Sequence, residues 1–186
     1  VFKKDDKMET IRYLEDELKS IAVLLEMLQN SSDRLDKGKE VPPWMLKENM
    51  ELLQVYIDGS HVTRELMILD RIKDKGIHVP LGRICDDHKI LNKYQKFLQA
   101  VIEAYDLGYR GAMGAFPHYC RDYIRLIEDH IDIVTEVLKK SEDYIKDIDG
   151  ELINEIKKTD SKLKRIRQRG ANRMEILLKE FSKVAA

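Results

Sequence analysis

Four side chains of this sequence have the chemistry of a metal site: His61, Glu65, His88 and His130. Each histidine falls on a different helical segment, among aliphatic neighbours on the apolar side of that segment. Neutral imidazole is the commonest metal ligand among protein side chains. Glu65 follows His61 by four residues, which puts the two on one helix face, a turn apart. If the segments pack side by side, the four groups converge on one buried point. A buried imidazole needs a hydrogen bond or a metal to offset its lost hydration. A lone core histidine is commonly satisfied by a carbonyl or hydroxyl. Three of them with an i,i+4 glutamate point instead to a single metal that satisfies all four groups at once.

The elements that must position these residues follow from composition and periodicity. The chain has 186 residues, 43% hydrophobic and 36% charged, which suits one compact domain of amphipathic helices with a helical appendage. Nine glycines and four prolines are too few for a many-stranded β fold. A formal net charge of −1 gives no global field that would select nucleic acid. Cys85 and Cys120 have no CxxC spacing and fit buried thiols in a reducing compartment. No apolar run approaches the ~20 residues of a membrane span, and no signal-peptide pattern opens the sequence. The expectation is a soluble, cytoplasmic protein with no membrane partner.

Apolar residues at three- and four-residue spacing predict a first helix from Lys4 to Gln29, with Asn30-Ser31-Ser32-Asp33 as its break. Pro42-Pro43 opens a second helix, which carries His61 and Glu65 and ends near Lys75-Gly76. A third runs from near Gly82 to Tyr105 with His88 in its inner stripe. A fourth runs from Phe116 to Lys140 with His130 in its stripe. The predicted fold class is all-α, an up-down-up-down four-helix bundle over residues 1–145. Residues 146–186 are expected as a C-terminal helical extension, with a helix from Glu151 to Val184. Its thin stripe of Leu152, Ile156, Leu163, Ile166, Met174, Leu177, Leu178 and Phe181 suggests incomplete burial. That extension is the expected surface for a protein partner or a second copy of the chain.

At the histidines the sequence resembles the hemerythrin family, the HHE cation-binding domain. Asp58-Gly59-Ser60-His61-Val62-Thr63-Arg64-Glu65 looks like that family's D-x-x-H-H-x-K-E-E motif. Pro80 to His88 resembles its P-I-G-x-x-x-x-E-H entry into the third helix. Tyr123 to Ile131 resembles its Y-x-x-L-L-x-x-H-I segment. The resemblance covers residues 5–145 and implies a four-helix bundle with metal in its core. It also implies ligands that this chain lacks. The first-helix histidine of the E-H-x-x-I motif falls on Leu18, the histidine one turn after the third-helix ligand on Asn92, and the fourth-helix bridging aspartate on Thr135. The second histidine of the doublet is Val62.

Two metals ~3.5–4 Å apart need bridging anions to offset their repulsion. With one protein bridge gone, a full di-iron centre and its reversible oxygen carriage are not expected. His61, Glu65, His88 and His130 suit one divalent ion, Fe, Zn or Mn. The implied function is metal binding, with a metal-, redox- or gas-sensing role, rather than a named enzymatic reaction. The alternative is a metal-free interaction module in which the histidines bond to Glu65, Thr135, Tyr123 and one another. By helical phase, Glu15, Asp16 and Glu17 are expected on the flanks of the Leu18 stripe.

Other features read as structural. His78 is a solvated loop residue, and His118 points away from the site as the partner of Asp122. Lys157–Arg173 holds eight Lys/Arg and reads as a solvated face, without the aromatics that stack bases. There is no phosphate loop, nucleophile elbow or HExxH motif.

Overall fold

The computed structural model describes residues 8–185, apart from the side chains of residues 58, 60, 110, 160–164, 166, 167 and 185. The expected start at Lys4, and Leu163 and Ile166 of the last stripe, lie outside that description, as does part of the basic cluster. The described residues are all-α and contain no strand. The elements are α1 (Glu9–Asp36), α2 (Pro43–Tyr56), a π-helical segment (Ile57–His61), α3 (Val62–Asp74), α4 (Leu81–Asp106), α5 (Arg110–Lys140) and α6 (Glu142–Ala185). The α2, π and α3 segments follow one another without a break, as one helical rod.

Three predicted boundaries are corrected. The polar run Asn30–Asp33 does not break α1, because its hydroxyls are satisfied within the helix and across to α5. Ser31 Oγ donates to Met27 O at 2.8 Å, and Ser32 Oγ to Pro117 O at 3.4 Å. The helix ends instead where Gly38 takes φ +69°, and Lys39 N closes back on Arg34 O at 2.9 Å. Pro117, next to the predicted start of the fourth helix, lies inside α5, which begins at Arg110. The Asp149-Gly150 pair is interior to α6, which starts right after Ser141. Asp149 is retained for a different reason: its carboxylate accepts from Glu9 N at 2.8 Å and Thr10 N at 2.9 Å. It therefore caps the open N–H groups at the start of α1 from another helix.

Helix α1 packs on α2 and α5, and α4 packs on the same two helices. Helix α6 runs back along the α2–α3 rod. Leu152 and Ile156 join Ile68, Leu69 and Ile72 of α3, while Arg173 forks onto Glu48 and Glu51 of α2. Leu152, Ile156, Leu177 and Phe181 are thus buried by the chain itself, and Ile176 and Leu178 remain exposed.

The buried apolar side chains form two clusters rather than one. Each core helix crosses from one cluster to the other at a polar residue. Helix α1 passes from Leu14 to Ile21 through Glu17, and the α2–α3 rod from Ile57 to Ile68 through His61, Arg64 and Glu65. Helix α4 passes from Ile84 to Leu91 through His88, and α5 from Ile127 to Val134 through His130. A transverse layer of ionisable side chains divides the core.

Candidate metal centre

The π segment sets the position of His61. Leu53, Ile57, His61 and Glu65 follow at three successive spacings of four residues. In an α-helix of ~3.6 residues per turn each such step drifts about 40°. A π turn bonds i to i+5 and is wider, so it absorbs the drift. Val62 N bonds Ile57 O across this turn. His61 and Glu65 therefore face inward together, while Leu53 above and Ile68 below keep their apolar packing.

Three imidazoles surround one carboxylate. Glu65 Oε2 lies 3.0 Å from His130 Nε2 and 3.5 Å from His61 Nε2, and Oε1 lies 3.2 Å from His88 Nε2. His88 and His130 approach Nε2 to Nε2 at 3.2 Å, with ring centroids 4.7 Å apart. One donor atom each from Glu65, His88 and His130 falls within 4.8 Å of the others, a separation a single metal ion can span. Glu65, His61 and His130 are buried and His88 is half-buried. Three of the four sequence-predicted residues, Glu65, His88 and His130, thus come together as one group. His61 stands at the margin of the set, nearest Glu65.

The donor set fits a metal. Glu65 Oε1 and the Nδ1 atoms of His61 and His130 are buried without a hydrogen bond. The 3.2 Å approach of His88 to Oε1 is electrostatic contact outside hydrogen-bond alignment. Burial pushes the Glu65 carboxyl up, but the rings of His130, His61 and His88 outweigh burial and hold it well below the usual carboxylate range. The ligand Glu65 would offer is therefore the anion.

The expectation for the first-helix acids is overturned at Glu17. Glu17 is 1% exposed and Leu18 is only half-buried, so the acid turns inward. The reason is charge. Glu17 Oε1 pairs with the guanidinium of Arg64, which is 0% exposed. Tyr13 covers that guanidinium at 5.1 Å from its ring centroid. Glu17 Oε2 lies 3.7 Å from His61 Nδ1, the ring nitrogen remote from Glu65. Asp87 stands likewise 3.7 Å from His130 Nδ1. Sequence reasoning named Glu17 but placed it on a flank, and it gave Asp87 and Arg64 no role at the centre. Arg64 sits one residue before the candidate ligand Glu65 but pairs with Glu17 of α1, and a cation at that inward position is a sequence signal that a buried acid on another helix was required.

Two small apolar cavities flank the layer. One of about 20 Å³ is lined by His61, His88 and His130 with Leu18, Leu91 and Ile131. The other, about 50 Å³, lies beyond His61 against Leu14, Val134 and Thr135. Thr135 lines the cavity and carries no carboxylate toward the centre.

The remaining candidates stay apart from this site. His78 is exposed in its loop, and His118 is exposed with Asp122 at 3.8 Å. Cys120 is buried, which pushes its thiol up to about 12 and leaves it unreactive as a nucleophile, and Cys85 is free and half-buried. Among the described residues no helix is long and apolar enough to cross a membrane. No protein-family model, curated protein or solved structure matches this chain.

Proposed function

We propose that this chain is a hemerythrin-like protein: an up-down-up-down bundle of α1, the α2–α3 rod, α4 and α5, with α6 laid along it, that binds one divalent metal ion. Glu65, His88 and His130 hold the metal, and His61 completes the set as a fourth ligand. The observation that carries this reading is the polar layer itself. Three histidines from three helices are turned onto one ionised carboxylate between two apolar clusters. Buried ionisable groups are expensive, and their grouping in one place favours a site over incidental packing. Glu17 and Arg64 offset each other, so Glu65 carries the charge that a cation would balance.

Three imidazoles and one carboxylate suit Zn, Fe or Mn. Bound there, the ion would act as a Lewis acid or a one-electron centre beside the small apolar cavity. That cavity admits a ligand no larger than a few atoms, which favours a sensing role for a small uncharged molecule. Thr135 and Leu18 speak against a second metal and against oxygen carriage by a di-iron pair.

Metal analysis of protein purified without chelator tests this reading. One equivalent of metal is expected, lost in His88→Ala and Glu65→Gln. Substoichiometric metal that is indifferent to both substitutions refutes it. A metal-free interaction module is the competing reading. It is favoured by the contacts His130 already makes to Glu65 and His88, at 3.0 and 3.2 Å.

A further inference from the structure

We infer that Glu17, locked in place by Arg64, is the positioning residue of this centre and acts through His61. The inference rests on the metal-site reading and goes beyond it to residues that touch no metal. His61 is edged by a carboxylate on each side: Glu65 at Nε2, 3.5 Å away, and Glu17 at Nδ1, 3.7 Å away. An imidazole can coordinate through either nitrogen, and the hydrogen bond made by the other nitrogen decides which. Glu17 can only accept at Nδ1. It therefore selects the form with the proton on Nδ1 and the lone pair on Nε2, the nitrogen on the Glu65 side of the ring. A gap of 3.7 Å is a few tenths of an ångström beyond hydrogen-bond reach. His61 Nδ1 has no hydrogen bond at that distance. A small swing of the ring closes the gap.

Glu17 does not serve as a ligand itself. Its Oε1 is engaged by Arg64 and its Oε2 addresses the nitrogen that faces away from the other donors. Arg64 offsets its charge at 0% exposure, and the Tyr13 ring closes the guanidinium from outside. The three residues form a strut: Tyr13 on Arg64, Arg64 on Glu17, Glu17 on His61. Outer carboxylates of this kind fix ring orientation and raise ligand basicity.

The test compares zinc affinity in wild type, Glu17→Met/Arg64→Met and Glu17→Gln/Arg64→Met. Replacing both charges leaves neither one buried alone, so these variants are expected to fold; far-ultraviolet circular dichroism checks that. The first double variant is expected to lose about 10–100-fold in affinity. The second is expected to recover most of that loss, because the introduced amide oxygen again accepts from Nδ1. A merely structural role predicts no difference between the two. Proton NMR of the zinc-loaded wild type should show a slowly exchanging Nδ1–H, assigned by His61→Ala and absent in the first variant. Wild-type affinity in the first variant, or zinc on His61 Nδ1, overturns the inference and leaves the metal site standing. A wild type that binds no zinc overturns both.

Discussion

Glu17→Met is the perturbation with the largest effect worked from the structure. It removes the partner of a guanidinium that is 0% exposed and packed against Tyr13. Breaking one side of a buried ion pair costs about 3–5 kcal/mol, because the survivor keeps its desolvation penalty. For a chain of 186 residues, each kcal/mol moves Tm by roughly 2–4 °C. The melting temperature should therefore fall by about 6–20 °C. Glu17→Met/Arg64→Met removes both charges and leaves an apolar contact, and it should lie within about 1 kcal/mol of wild type. The coupling energy of the cycle is then at least about 2 kcal/mol. Urea melts of wild type, both single variants and the double, all in chelator, measure this without any contribution from metal. A cost below about 1 kcal/mol for Glu17→Met, additive with that of Arg64→Met, is what a solvent-exposed pair would give. That result refutes the claim that the polar layer is buried and coupled.

Other consequences follow from single features. The Cys120 thiol should ignore thiol reagents in the folded protein while the half-buried Cys85 reacts. Because its folded value is raised from 9.0 to about 12, its contribution to stability is present below about pH 9 and lost as pH rises toward 12. At pH 10.5 that is about 2 kcal/mol, and Cys120→Ala should flatten this slope in urea melts run across pH. Asp149→Ala should cost about 1–2 kcal/mol by uncapping α1, read as faster hydrogen exchange at the amides of Glu9 and Thr10; unchanged exchange would refute the cross-helix cap. Gly170→Ala in the interior of α6 should stabilise by about 0.5–1 kcal/mol. Its new Cβ meets Val55 at an ordinary 3.6 Å, and a lowered Tm would refute that packing.

The helical segments, their inner stripes and the four candidate ligands were legible in the sequence because local spacing determines which residues share a helix face. Leu14, Ile21, Leu91, Ile127 and Val134 lie where periodicity puts them, and so do His61, Glu65, His88 and His130. The boundaries were less legible. Ser31, Ser32 and Asp149 look like breakers until their hydroxyl and carboxylate partners are known, and those partners sit on other turns or other helices.

Sequence alone determined that three imidazoles and a carboxylate occupy apolar faces of successive helices, because 3.6-residue periodicity is a local property. Only the tertiary structure decided that they meet at one carboxylate, that a π turn aims His61, and that Glu17 turns inward to Arg64. Helical phase put Glu17 on a flank. The buried guanidinium brought in by a different helix overrode that phase, since an unpaired charge in the core costs more than the half-exposure of Leu18.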